Sequence, residues 1–262
     1  MRIYFKFLIL ILLLVASIIL IPLEMKLLGW TLLGVTTLLL LFCEKSFKHD
    51  MLLVVLALGI LGVTAINTDI RLAHLFEISF MLFLTISLPY LITRYFYKEN
   101  TIGLSFHHGR NWYRTEIFYI VLTATLAYFV FPFYMQSTGA YHNWEVKLDP
   151  ANLGQLFLGT NGMGIWDELF FVNTVLAIFK KHFPFNAANA SQAIIFTSFL
   201  FQLGFRGWAP FFVYPFALAQ GYIFKKTHSL LYVITIHLVL DFILYLVLIH
   251  SYYPNVLDIF IT

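Results

Sequence analysis

Long apolar runs, broken by short polar clusters, fill most of the chain. About 20 consecutive apolar residues, rising ~1.5 Å each, cross the ~30 Å hydrocarbon core of a bilayer. That measure predicts nine candidate spans, at 3–23, 27–43, 51–67, 73–93, 115–136, 160–179, 189–205, 208–224 and 229–250. The expected fold is therefore all-α, a polytopic transmembrane bundle of about eight or nine spans with a cytoplasmic N-terminus. The first run has the basic start and apolar core of a signal peptide. It lacks a small-residue cleavage site and runs long, so it reads as an uncleaved span.

Composition narrows the class. The chain is 61% hydrophobic and 11% charged, with a mean hydropathy of +0.85, whereas soluble domains carry about 25% charged residues. A soluble globular domain is excluded. The net charge of +3 is spread over short loops, which gives no reason to expect a nucleic-acid partner. The single cysteine, Cys43, excludes an internal disulfide framework and a thiolate zinc site.

Loop charge supplies an orientation. With the N-terminus inside, Arg2, Lys6, Lys45, Lys48, Arg94, Lys98, Arg110, Arg114, Lys180, Lys181, Lys225 and Lys226 fall on the cytoplasmic side. Only Lys26, Arg71, Lys147 and Arg206 fall outside. This is the positive-inside pattern, expected of a multi-pass protein of a bacterial-type inner membrane. Residues 94–114 mix bases with aromatics and suit the cytoplasmic headgroup layer; residues 137–154 read as a polar outer loop. Residues 1–114 are expected to be scaffold, 115–154 a span and its outer loop, and 155–262 the segment that carries chemistry.

That chemistry lies in two apolar stretches. GMGIWDELFFVN holds Asp167 and Glu168, and ITIHLVLDFI holds His237 and Asp241. An ionisable side chain at bilayer depth costs roughly 2.5–3.5 kcal/mol on the insertion scale, so three acids and a histidine there mark the first place to look for function. His237 and Asp241 are four apart and share a helix face. That spacing suits a shared proton, water or metal, and it equally suits simple interhelical glue. Asp167 and Glu168 diverge by about 100° on a helix, so only one need face His237. A carboxylate in an apolar pocket can serve as general base or acid near neutral pH. An acid early in a helix also complements the helix dipole. Counted from the inner helix ends, Asp167, Glu168, Gln202 and Asp241 share a depth of roughly 18–20 Å, with His237 at about 12 Å. Gln202, Asn173 and Arg206 are accessory candidates; a helix–helix hydrogen bond for Gln202 and an interfacial anchor for Arg206 are the plainer readings.

With these motifs, roughly residues 155–250 resemble the CPBP intramembrane proteases, which include CAAX-processing, bacteriocin-processing and abortive-infection proteins. The family pattern is EExxxR on one helix, FxxxH on a second, and HxxxN or HxxxD on a third. His237-Leu-Val-Leu-Asp241 matches the third motif. Asp167-Glu168 matches the first in altered form, with Val172 at the arginine position and Asn173 beside it. In the second, Phe201 aligns and Phe205 stands where the family has histidine. The resemblance implies a water activated by carboxylate and histidine, with Asp167, Glu168, His237 and Asp241 catalytic. An aspartate at 241 is a poorer oxyanion partner than a neutral amide unless it is protonated. By the same analogy zinc is the implied cofactor, with Glu168 and His237 as ligands, in a set poorer in nitrogen than catalytic zinc usually has. The implied partners are the lipid bilayer and a membrane-associated or lipidated peptide substrate.

Three functions follow. One is an active intramembrane endopeptidase. The second is a noncatalytic relative, a membrane scaffold or immunity-type protein that binds peptide or lipid in the same cavity. The third is a proton-coupled transporter, disfavoured by the lack of repeat halves and paired broken helices.

Overall fold

The computed structural model describes residues 3–106 and 112–260. Arg2 and Arg110 of the loop-charge count, with the rest of 107–111 in the expected interfacial segment, lie outside the described residues. Among the described residues the chain forms nine helices and no strand: α1 Ile3–Leu20, α2 Lys26–Leu40, α3 Lys45–Val63, α4 Leu72–Phe96, α5 Arg114–Thr138, α6 Pro150–Lys180, α7 Phe185–Gln202, α8 Pro210–Thr227 and α9 Leu230–Tyr252. Six of them (α1, α3, α4, α5, α6 and α9) are long and apolar enough to cross a membrane. Helix α2 is apolar but only 15 residues long. Helices α7 and α8 are interrupted by polar residues such as Asn189, Gln192 and Gln220. The expected all-α polytopic bundle is therefore found.

Two boundaries differ most from the hydrophobic pattern. Helix α6 starts at Pro150, well before the expected 160, because Asp149 caps it: its Oδ1 accepts from Asn152 N at 2.9 Å, and Pro150 suits the first turn. The expected outer loop 137–154 shrinks accordingly. Helix α3 starts at Lys45 rather than 51 and takes buried Asp50 into its first turns.

The chain reversals sort to two ends of the bundle. At one end Lys6 pairs with Glu44 at 3.7 Å, and Lys181 pairs with Asp50 at 2.8 Å and with Glu99. At the other, Gln202 donates to Glu24 Oε1 at 2.5 Å, Lys26 to Gly62 O at 3.0 Å, and Tyr252 to Trp144 O at 2.7 Å.

Helix α6 is the element that positions the site. It packs against α9 and α4, and its second half also packs against α7 and α8. Trp166 Nε1 donates to Leu82 O of α4 at 2.8 Å and lies 3.1 Å from Thr85 Oγ1. Its ring stacks on Phe170 at 4.9 Å and meets Phe199 of α7 at 4.7 Å. Those contacts tie one face of α6 to α4 and α7, and Asp167 and Glu168 reach across to α9.

Candidate active site

Asp167 and Glu168 sit just past the midpoint of α6, where the helix loosens. From Glu168 to Val175 it winds as a π-helix, and Thr174 Oγ1 donates to Leu169 O five residues back, at 2.9 Å. Such wide turns concentrate at functional sites, where they re-aim side chains. The two acids bracket one imidazole. Glu168 Oε1 lies 2.8 Å from His237 Nδ1, and Asp167 Oδ2 lies 3.7 Å from Nε2. The sequence required only one acid to face His237. Both do, because the two ring nitrogens point in different directions and each meets one carboxylate.

Asp241, one turn along α9, brings Oδ1 to 3.9 Å from His237 Nε2. Gly164 makes this approach possible. A Cβ at position 164 would lie 1.8 Å from Asp241 Oδ2 and 3.0 Å from His237 Cδ2, so only glycine lets the polar face of α9 close onto α6. Phe216 and Phe196 flank the imidazole, with ring centroids 5.4 and 6.0 Å away.

Glu168 is fully buried and bound from two sides. Gln220 of α8 donates to Oε1 at 2.8 Å and to Val233 O at 3.1 Å, while His237 Nδ1 holds the same oxygen. In the neutral ring, a carboxylate at Nδ1 selects the tautomer in which Nδ1–H donates and Nε2 accepts. The Nε2 distances to Asp167 and Asp241 exceed direct hydrogen bonding and match the reach of a bridging water. Asp167 Oδ1, Asp241 Oδ2 and Glu168 Oε2 are buried without a protein partner.

Asp167, His237 and Asp241 form one wall of a cavity of about 410 Å³, which Glu168 does not reach. The cavity is otherwise apolar, lined from α4, α5, α8 and α9 by residues such as Leu75, Leu126, Phe131 and Phe212. Asn67, Thr68, Asp69 and His74 line the part nearest the α3–α4 loop. There the Arg71 side chain and backbone N–H donate to Asp69 and hold its carboxyl down to about 2, so it stays ionised.

The accessory residues lie elsewhere. Gln202 is the last residue of α7, bonded to Glu24 and facing Ile66 O at 3.5 Å. Helix α7 begins at Phe185, not 189, which puts Gln202 about 26 Å along it at ~1.5 Å per residue. The inferred common depth was an error of helix start. Arg206 is exposed, with its guanidinium 5.8 Å from the Phe201 ring. Asn173 is buried in the π-helical stretch, its Nδ2 without a partner, and does not line the cavity. Phe205 lines the cavity but stacks on Tyr134 at 6.1 Å and meets Trp144 at 5.8 Å. Two contributors went unread in the sequence, Gln220 and Gly164. Gln220 had a visible signal, a lone amide inside the apolar run 208–224; Gly164 had none beyond its place three residues before Asp167.

The implied zinc pair does not fit. Glu168 engages Nδ1, on the side of the ring away from the cavity, while Nε2 faces Asp167 and Asp241. One nitrogen and two carboxylates remain, and among the described residues no group of three or more His, Cys, Asp or Glu is disposed to hold a metal ion.

Residues 149–243 match the family model for type II CAAX prenyl endopeptidase Rce1-like proteins. The stretch runs from the Asp149 cap to just past Asp241 and contains all four clustered residues. This agrees with the CPBP resemblance drawn from the motifs. Neither a curated protein nor a solved structure matches the chain.

Proposed function

We propose that the chain is a CAAX-protease-like intramembrane endopeptidase that hydrolyses a peptide bond of a membrane-associated substrate. One observation carries the reading: His237 Nε2, with its tautomer set by Glu168, faces Asp167 and Asp241 across one-water distances at the wall of an apolar cavity. One carboxylate of the Asp167/Asp241 pair orients the water by accepting one of its protons in a hydrogen bond, and Nε2 takes the other as the oxygen attacks the scissile carbonyl carbon. The tetrahedral intermediate then collapses, the C–N bond breaks, and His237 returns the proton to the leaving amine. The products are a new carboxyl and a new amino terminus. The apolar part of a membrane-anchored or lipidated peptide occupies the rest of the cavity. The protein sits as a multi-pass protein of a bacterial-type inner membrane, with the lysine-rich end of the bundle on the cytoplasmic side.

A second reading has its own support. Phe205, at the position of the family's second histidine, is committed to aromatic packing on Tyr134 and Trp144. That favours a peptide- or lipid-binding relative with the same cavity and no hydrolysis. Comparing membrane-protein termini in cells that carry wild type or Glu168→Ala separates the two. Cleavage products present only with wild type support the endopeptidase. Identical termini alongside a lost cellular phenotype support the binding protein.

A further inference from the structure

A second concavity lies at the opposite, lysine-rich end of the bundle. It has a volume of about 510 Å³ and is formed where the ends of α6 and α8 meet the start of α7. Lys180, Lys181 and Lys225 line it together, with the Thr101 hydroxyl beside them. Lys181 is partly neutralised by Asp50 and Glu99. Among the described residues Lys180 and Lys225 have no acidic partner, and Lys225 Nζ rests 4.0 Å from the centre of the Phe185 ring. An ammonium over an aromatic face is held in place while its outer N–H groups stay available.

Two ordinary explanations account for part of this. Lysines suit the last turn of a helix, where they meet the negative end of the dipole, and basic loops set topology. Both predict lysines near these ends. Neither predicts that lysines from two helices converge on one concavity, nor that its other wall is apolar. Leu176 and Ala177 lie one turn deeper on α6 than the lysines, and Phe224 precedes Lys225 on α8. A free phosphate would gain nothing from that wall, whereas a phospholipid meets it with its glycerol and upper acyl chain.

We propose that Lys180, Lys181, Lys225 and Thr101 form a binding site for the phosphate headgroup of an anionic membrane lipid, separate from the His237 cavity. Basic pockets between membrane helices on the cytoplasmic side recognise such headgroups, and each lysine near an anionic surface contributes about 1 kcal/mol. The test uses the full-length protein in neutral detergent micelles and follows lipid adducts by native mass spectrometry. Dioleoylphosphatidylglycerol, dioleoylphosphatidylcholine and inorganic phosphate are titrated separately. Phosphatidylglycerol should bind saturably and in preference to phosphatidylcholine. Lys180→Gln with Lys225→Gln should weaken it roughly 30-fold, the effect of two such lysines. Lys180→Arg with Lys225→Arg, and Lys26→Gln with Lys147→Gln at the other end of the bundle, should retain it. An unchanged affinity in the Gln pair overturns the proposal, as does equal binding of phosphatidylcholine. Saturable binding of inorganic phosphate without phosphatidylglycerol overturns the lipid assignment. The Arg pair guards against misfolding: if charge alone matters, it restores binding whatever the Gln pair does to stability.

Discussion

Two histidines in this bundle meet carboxylates in opposite ways. His182 Nε2 lies 2.5 Å from Asp50 Oδ2, and Lys181 Nζ reaches the same oxygen at 2.8 Å. A permanent cation sits beside the acid, and the group ties the start of α3 to the turn after α6. His237 meets three acids with no lysine or arginine among them, and three carboxylate oxygens there lack protein partners. In the first arrangement a lysine balances the acid's charge, although Asp50 Oδ1 is also buried without a partner. The second stays open toward a cavity and is dear to bury, since charges in an apolar interior are tolerated when paired. A buried histidine–carboxylate contact is therefore not by itself a sign of chemistry; acids left without a permanent cation at the wall of a cavity are.

Substitutions sharpen that difference. His237→Ala should lower proteolysis by about 10²–10⁴-fold for loss of a general base, read as product formed per folded molecule. Asp50→Ala should act on stability instead. It should destabilise the bundle by about 3 kcal/mol, the low end for a broken buried pair because Lys181 stays partly exposed, and leave turnover per folded molecule unchanged. Equal loss of activity from both would erase the distinction. Glu168→Gln keeps the shape but removes the carboxylate at Nδ1, and kcat should fall by about 10–100-fold with KM nearly constant. Gly164→Ala forces α9 away from α6 and should cost about 1–3 kcal/mol of stability along with activity. Gln202→Ala should move both readouts least, within about 0.5 kcal/mol.

The helical bundle was legible because bilayer crossing demands long apolar runs, and those survive in the sequence even where end positions shift. Asp167, Glu168, His237 and Asp241 were legible for the same reason, since ionisable residues stand out in such runs. Their convergence was legible only as a depth estimate, and that estimate depends on where each helix starts. It placed Gln202 wrongly because α7 begins at Phe185. Gln220 and Gly164 act across helices, one by bonding Glu168 fifty-two residues away and the other by leaving space for Asp241. Neither relation has a local periodic trace. The π-helical stretch of α6, which no spacing argument anticipates, lies beside the acids that bracket His237.

The most direct test is hydrolysis itself. Wild type and His237→Ala are reconstituted into liposomes with membrane-protein substrate in ¹⁸O-labelled water, and the new carboxyl termini are read by mass spectrometry. One ¹⁸O should enter each new carboxyl terminus with wild type, and new termini should fall by about 10²–10⁴-fold with His237→Ala. Labelled termini at the wild-type level without His237 would contradict hydrolysis through His237, as would their absence from both reactions.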